Sequence, residues 1–251
     1  MRKNAWVICC CTAVLAAFGT FFRWLQDQVC FEADTGLAVR GSIWPYAVAL
    51  MIVIAAVVLA VVCFRMKNQP HTYFPDSLPA ALAASPHVRT IGGIVLGALL
   101  AVGGLWLLLG SGTLASPGLQ MLAPGDAETA SGAVVCASMP IVLLAFWLIV
   151  SYKVNIINPT VSAYAVEILA LCAALIASYE FAGFAYGRPK AIKSIFWSQF
   201  AAFLCITALP DDRAGGLQLM LAAIAGILLF QSYLTASNIR PAVSGPVGGA
   251  Q

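Results

Sequence analysis

The chain has 251 residues, 61% of them apolar and 9% charged, with a net charge of +3. A water-soluble domain carries roughly 45–50% apolar and about 25% charged residues, so this chain cannot cover itself in water and lipid must be its solvent. Its 13 Lys and Arg are scattered through the loops, which excludes nucleic acid as a partner and leaves the bilayer as the first one.

The first hydrophobic segment, Ala5–Leu25, follows the basic start Met1-Arg2-Lys3. It is longer than the apolar core of a signal peptide and no A-x-A-like cleavage site follows it, so it reads as an uncleaved span. Trp6 and Trp24 bracket it, and Arg23 near its end reads as a side chain snorkelling to the interface. In the next loop, Cys30-Phe31-Glu32-Ala33-Asp34-Thr35-Gly36-Leu37 brings two acids together without further oxygen ligands at fixed spacing. It reads as a turn, not a calcium loop.

The second segment, Ile43–Phe64, opens on Trp44 and Tyr46. The loop 65–90 then carries Arg65, Lys67 and Arg89, with His71 and His87 both read as solvated. The third segment, Ile91–Gly110, has Gly93, Gly97, Ala101 and Gly104 at spacings of four, four and three. Such a stripe of small residues lets another helix approach closely, within the chain or between two copies of it.

The fourth segment, Ser131–Ser151, closes with Trp147 and Tyr152. The fifth, Pro159–Tyr186, is announced by Asn158-Pro159-Thr160, a capping side chain followed by proline at the first helical position. The sixth, Ser194–Leu209, is short and bounded by Pro210-Asp211-Asp212, so it forms a tight hairpin with the seventh, Gly216–Leu234. The expected fold is an all-α, polytopic transmembrane helix bundle of seven hydrophobic segments. It forms a single domain over 1–239, and residues 240–251 form a disordered, Gly- and Pro-rich C-terminal tail.

Seven segments need not mean seven crossings. The charge bias places the N-terminus and the loop 65–90 in the cytoplasm. Seven crossings would then put Arg188, Lys190 and Lys193 outside, leaving seven Lys and Arg inside against six outside, which is no bias. If one middle segment dips in and returns, the division becomes nine against four. The glycine-rich third segment is the candidate, since re-entrant backbone is tolerated where protein covers it.

Polar groups inside the hydrocarbon are costly, so each needs an account. Glu167 lies roughly 13 Å into the fifth segment at a rise of about 1.5 Å per residue. Tyr164, one turn earlier on the same face, is placed to hydrogen-bond to it. No Lys or Arg lies at comparable depth in the sequence, so the expectation is a neutral, protonated carboxyl unless water reaches it. Together Glu167 and Tyr164 are the candidates for a substrate or ion pathway. Glu180 is 13 residues further on, about 20 Å along the axis and some 220° around it, so the two carboxylates share no face. If all seven segments cross, Glu180 and Arg23 lie on one side and form an ion pair. With one crossing fewer they lie on opposite sides.

Seven of the eight cysteines lie inside hydrophobic segments and no pair has metal-ligand spacing, so they read as small apolar residues, with neither a metal site nor a disulfide framework. No cofactor motif is present. No serine nucleophile, HExxH or intrahelical pair of aspartates suggests an enzyme. The longest polar connection, 65–90, is too short for a nucleotide-binding fold. ATP-driven pumping by this chain alone, kinase activity and DNA binding are excluded.

The run Arg23-Trp24-Leu25-Gln26 with Phe31-Glu32-Ala33-Asp34-Thr35-Gly36-Leu37 resembles uncharacterised polytopic membrane proteins of anaerobic Firmicutes. So does the later half, through Asn158-Pro159, Tyr164-Ala165-Val166-Glu167 and Ala182-Gly183-Phe184-Ala185-Tyr186-Gly187-Arg188. The resemblance implies a bacterial cytoplasmic membrane and carries no activity with it. Two functions remain from the residues themselves. One is binding or transport of a small solute with Glu167 as the polar centre. The other is a structural or regulatory membrane subunit acting through helix contacts with other subunits or with a second copy.

Overall fold

The computed structural model describes residues 2–30, 42–68, 72–83, 91–102 apart from 93, 96 and 100, 129–156, 161–211, 213 and 215–241. The turn at 34–36, both histidines, Asn158-Pro159-Thr160, Gly93 and Gly104 lie outside these residues.

The described elements are α1 (Arg2–Cys30), α2 (Trp44–Lys67), β1 (Thr72–Tyr73), α3 (Leu78–Ala81), α4 (Thr129–Asn155), α5 (Val161–Ala182), α6 (Ala191–Thr207), α7 (Gly215–Ser237) and β2 (Arg240–Pro241). Five of the helices are long and apolar enough to cross a membrane, and α6 is a shorter apolar helix of 17 residues. The described residues between 91 and 102 are helical, and Gly92 lies against Phe230 of α7, where an added Cβ would stand 2.6 Å from the ring.

The shorter apolar helix occupies the centre. α6 packs against α1, α2, α5 and α7, and every residue from Phe200 to Cys205 is buried. At about 1.5 Å per residue it is roughly 25 Å long, against a hydrocarbon core of about 30 Å. Its last turn therefore stops short of the bundle end, and Pro210, which cannot continue the helix, turns the chain while still inside. Ala208 and Asp211 in that turn are buried.

α1 meets α6 along one regular stripe. Ala5, Ile8, Thr12, Ala16, Gly19, Arg23, Gln26 and Cys30 are its buried positions, spaced alternately by three and four residues with one repeat of four. This is the seam of a helix packed on its neighbour at a shallow angle. Gly19 makes the closest approach, since an added Cβ would stand 2.5 Å from Thr207 Oγ1 and 3.0 Å from the Phe203 ring.

The ends of the helices sort into two faces. Cys63 and Met66 at the end of α2 share a cluster with Ala5, Ile8, Ile195, Ala236 and Ile239. Phe181 at the end of α5 meets Ala81, Phe184 and Ala191. β1 pairs with β2 there, Thr72 opposite Pro241 and Tyr73 opposite Arg240, and Asn238 donates to the Ala81 carbonyl at 2.8 Å. Arg240 and Pro241, which the sequence assigns to the C-terminal tail, are paired in β2. The opposite face gathers the end of α1, the start of α2, the α6–α7 turn, the end of α4 and the start of α5. α4 runs antiparallel to α5, with Ser151 bonded to Glu167. The chain from the end of α2 to the start of α4 therefore leaves and returns at the first face.

Candidate functional site

The second face holds a buried network of charges built from elements far apart in sequence. Arg23, on the inner stripe of α1, donates from Nε to Asp211 Oδ1 at 2.6 Å and from Nη2 to Oδ2 at 3.1 Å. Its Nη1 donates to Gln26 Oε1 at 3.0 Å. A planar guanidinium matched side-on to a carboxylate is the strongest form of such a pair. Asp211 also accepts from Arg213 Nη2. Arg213 Nη1 then lies 3.1 Å from Glu167 Oε2, close enough to pair as ions, yet it is not aligned as a hydrogen bond.

Glu167 is further held by α4, whose Ser151 hydroxyl donates to Oε1 at 2.9 Å. Asn155 steadies that serine through its carbonyl at 2.9 Å and its hydroxyl at 3.3 Å. From α7, Gln218 donates to the backbone carbonyl of Asp211 at 3.0 Å, covering an acceptor that the recessed turn would otherwise bury alone.

The four charged side chains are from 2% to 10% exposed, and two guanidinium groups face two carboxylates. Balance of this kind is what burial demands. Replacing a dry pair with apolar groups is often neutral, but removing one partner costs about 3–5 kcal/mol. On this ground the cluster as a whole adds little net stability, whereas the loss of any one member is costly.

Several sequence expectations are altered here. Arg23 does not snorkel; it is buried, because its register on α1 points it at α6. Its partner is Asp211 and not Glu180, which lies at the other end of α5 beside Phe181. Glu167 does have a cation at its own depth, since the short α6 carries Arg213 inward. It stands six residues into α5, roughly 9 Å from the first residue of the helix and nearer the second face than the middle. The hydroxyl that reaches it is that of Ser151 on the neighbouring helix. Tyr164 is half-buried, one turn away. Of the small-residue stripe, Gly97 has nothing among the described residues within 4 Å of an added Cβ and Ala101 is exposed, while the close contact is made by Gly92.

The middle of the bundle holds a second polar centre that the sequence reading passed over. Gln199, fully buried at the midpoint of α6, donates to Ser232 Oγ at 2.8 Å and to Cys9 Sγ at 3.5 Å. Its Oε1 and the buried Ser198 Oγ have no partner among the described residues. By contrast Thr12, Thr207 and Thr235 each bond the carbonyl four residues back on their own helix. Among the described residues no group of three His, Cys, Asp or Glu side chains could hold a metal ion. No protein-family model, curated protein or solved structure matches the chain.

Proposed function

We propose that this integral membrane protein binds or moves a small solute, and that the Glu167–Arg213 pair is its polar centre. The observation that carries the reading is the position of Arg213. One guanidinium, only 10% exposed, is shared between Asp211 and Glu167, and its Nη1 makes no hydrogen bond among the described residues. Ionisable groups within membrane bundles are expensive and commonly mark solute or ion pathways. A cation divided between two acids can shift toward either when a solute or proton takes the place of the other contact. Ser151 and Asn155 would orient the carboxylate during such an exchange.

The protein sits in a bacterial cytoplasmic membrane with its N-terminus in the cytoplasm and six spans. The resemblance to Firmicutes membrane proteins supports the membrane. The charge distribution supports the orientation: Arg2, Lys3, Arg65, Lys67, Arg188, Lys190, Lys193 and Arg240 belong to the first face, and Arg23, Lys153 and Arg213 to the second.

A second reading, a structural or regulatory subunit, draws on the open surroundings of Gly97 and Ala101 and on α4, whose Val142, Phe146 and Ile149 face outward. Cysteine accessibility separates the two. Glu167→Cys in a background lacking native cysteines is treated with a membrane-impermeant thiol reagent, in cells and in inverted vesicles. Labelling from either side supports a water-filled pathway. Silence from both sides favours the packed subunit.

A further inference from the structure

We infer that the outer surface of α2, where it reaches the first face, is a binding site for an anionic phospholipid. Ala60, Val61, Phe64, Arg65 and Asn68 line an open groove of about 610 Å³. Positions 60, 64 and 68 form one helical row and 61 and 65 the adjoining one, so the groove is a continuous stripe. The opposite side of the helix is spent on the core, with Leu59, Cys63 and Met66 buried. From Ala60 to Asn68 the stripe climbs roughly 12 Å, a passage from hydrocarbon into the headgroup layer.

Its chemistry changes along that climb. The lower wall is apolar, with Val61 50% and Phe64 61% exposed, and suits an acyl chain. The rim is Arg65 with the amide of Asn68, five guanidinium donors and an amide that suit a phosphodiester. Arg65 and the neighbouring Lys67 are exposed and pair with none of the described acids. The same face also exposes Arg188, Lys190 and Lys193, so its field favours an anionic over a zwitterionic headgroup. Cations in the last turn of α2 also complement the helix dipole, but that role needs neither the groove nor its apolar wall.

The test is native mass spectrometry of the detergent-purified full chain, titrated in parallel with phosphatidylglycerol and phosphatidylcholine of matched acyl chains. Phosphatidylglycerol should be retained preferentially, and Arg65→Gln should cut that preference about fivefold, the effect of one basic residue at a membrane surface. Val61→Ser with Phe64→Ser should weaken both lipids, since both place an acyl chain on the wall. Lys153→Gln, at the other face, should change neither. Equal retention of the two lipids, or a preference that survives Arg65→Gln, overturns the site. Displacement of the lipid by glycerol phosphate alone would show an anion site without a lipid chain, and would overturn it as well.

Discussion

Arg23 and Asp211 are 188 residues apart in sequence and join as a two-pronged ion pair that ties the end of α1 to the turn after α6. Because Asp211 holds both Arg23 and Arg213, the loss of this one carboxylate takes an ion pair from each of two guanidinium groups. Asp211→Ala should therefore destabilise the protein by about 3–5 kcal/mol, whereas Arg23→Met with Asp211→Leu should recover a large part of the loss. Denaturant unfolding in micelles, run as a double-mutant cycle, measures both. A single-variant cost below about 1 kcal/mol would mean that the pair is solvated, as surface pairs are.

The α1–α6 crossing depends on the missing side chain at position 19. Gly19→Ala should cost about 1–3 kcal/mol through overpacking, because Thr207 Oγ1 is pinned by its 2.9 Å bond to the Phe203 carbonyl. Thr207→Ala in the same chain should return part of that stability, and thermal unfolding of the two variants compares them. No recovery would shift the clash to the Phe203 ring.

Sidedness has a direct test in three single cysteines. Arg65→Cys and Arg188→Cys should react with an impermeant thiol reagent from the same side of the membrane, and Lys153→Cys from the other. Seven crossings would instead put positions 65 and 188 on opposite sides.

Tyr73 donates its hydroxyl to Asp76 three residues on, in the connection after α2. That hydrogen bond first, and the charge of the carboxylate second, push the Tyr73 pKa above its ordinary value. The sign follows from the products, since ionisation would place a phenolate beside a carboxylate. Tyr73 should stay neutral at a pH near ~10, where a free tyrosine is half ionised. The contact is intact below that range and lost above it. Ultraviolet titration should show Asp76→Asn lowering the Tyr73 transition, and Tyr73→Phe removing it. An unchanged curve in Asp76→Asn would rule the contact out.

Much of the bundle was legible in the sequence because length and hydropathy are local properties. Ala5–Leu25 and Gly216–Leu234 fall within described helices, Ile43–Phe64 does so from Trp44 onward, and the sixth segment is short in both sequence and structure. The consequence of that shortness was harder to read. Hydropathy places Asp211, Asp212 and Arg213 in an outer turn, whereas the depth of a turn depends on how far its helix reaches and what surrounds it. The inward register of Arg23 was present in the alternating three- and four-residue spacing from Ala5, yet a charge near a segment end suggests snorkelling unless that spacing is followed through. Gln199 escaped notice because an uncharged amide barely perturbs an apolar stretch.

The return of the chain to one face between α2 and α4 separates length from parity. A complete helical hairpin inserted into that interval, or removed from it, leaves the direction of every later helix unchanged. A single added span would invert α4 to α7 and carry Arg188, Lys190 and Lys193 to the wrong side. Homologous chains should therefore differ in this interval only by even numbers of spans, and relatives of quite different length can keep the same network of Arg23, Asp211, Arg213 and Glu167.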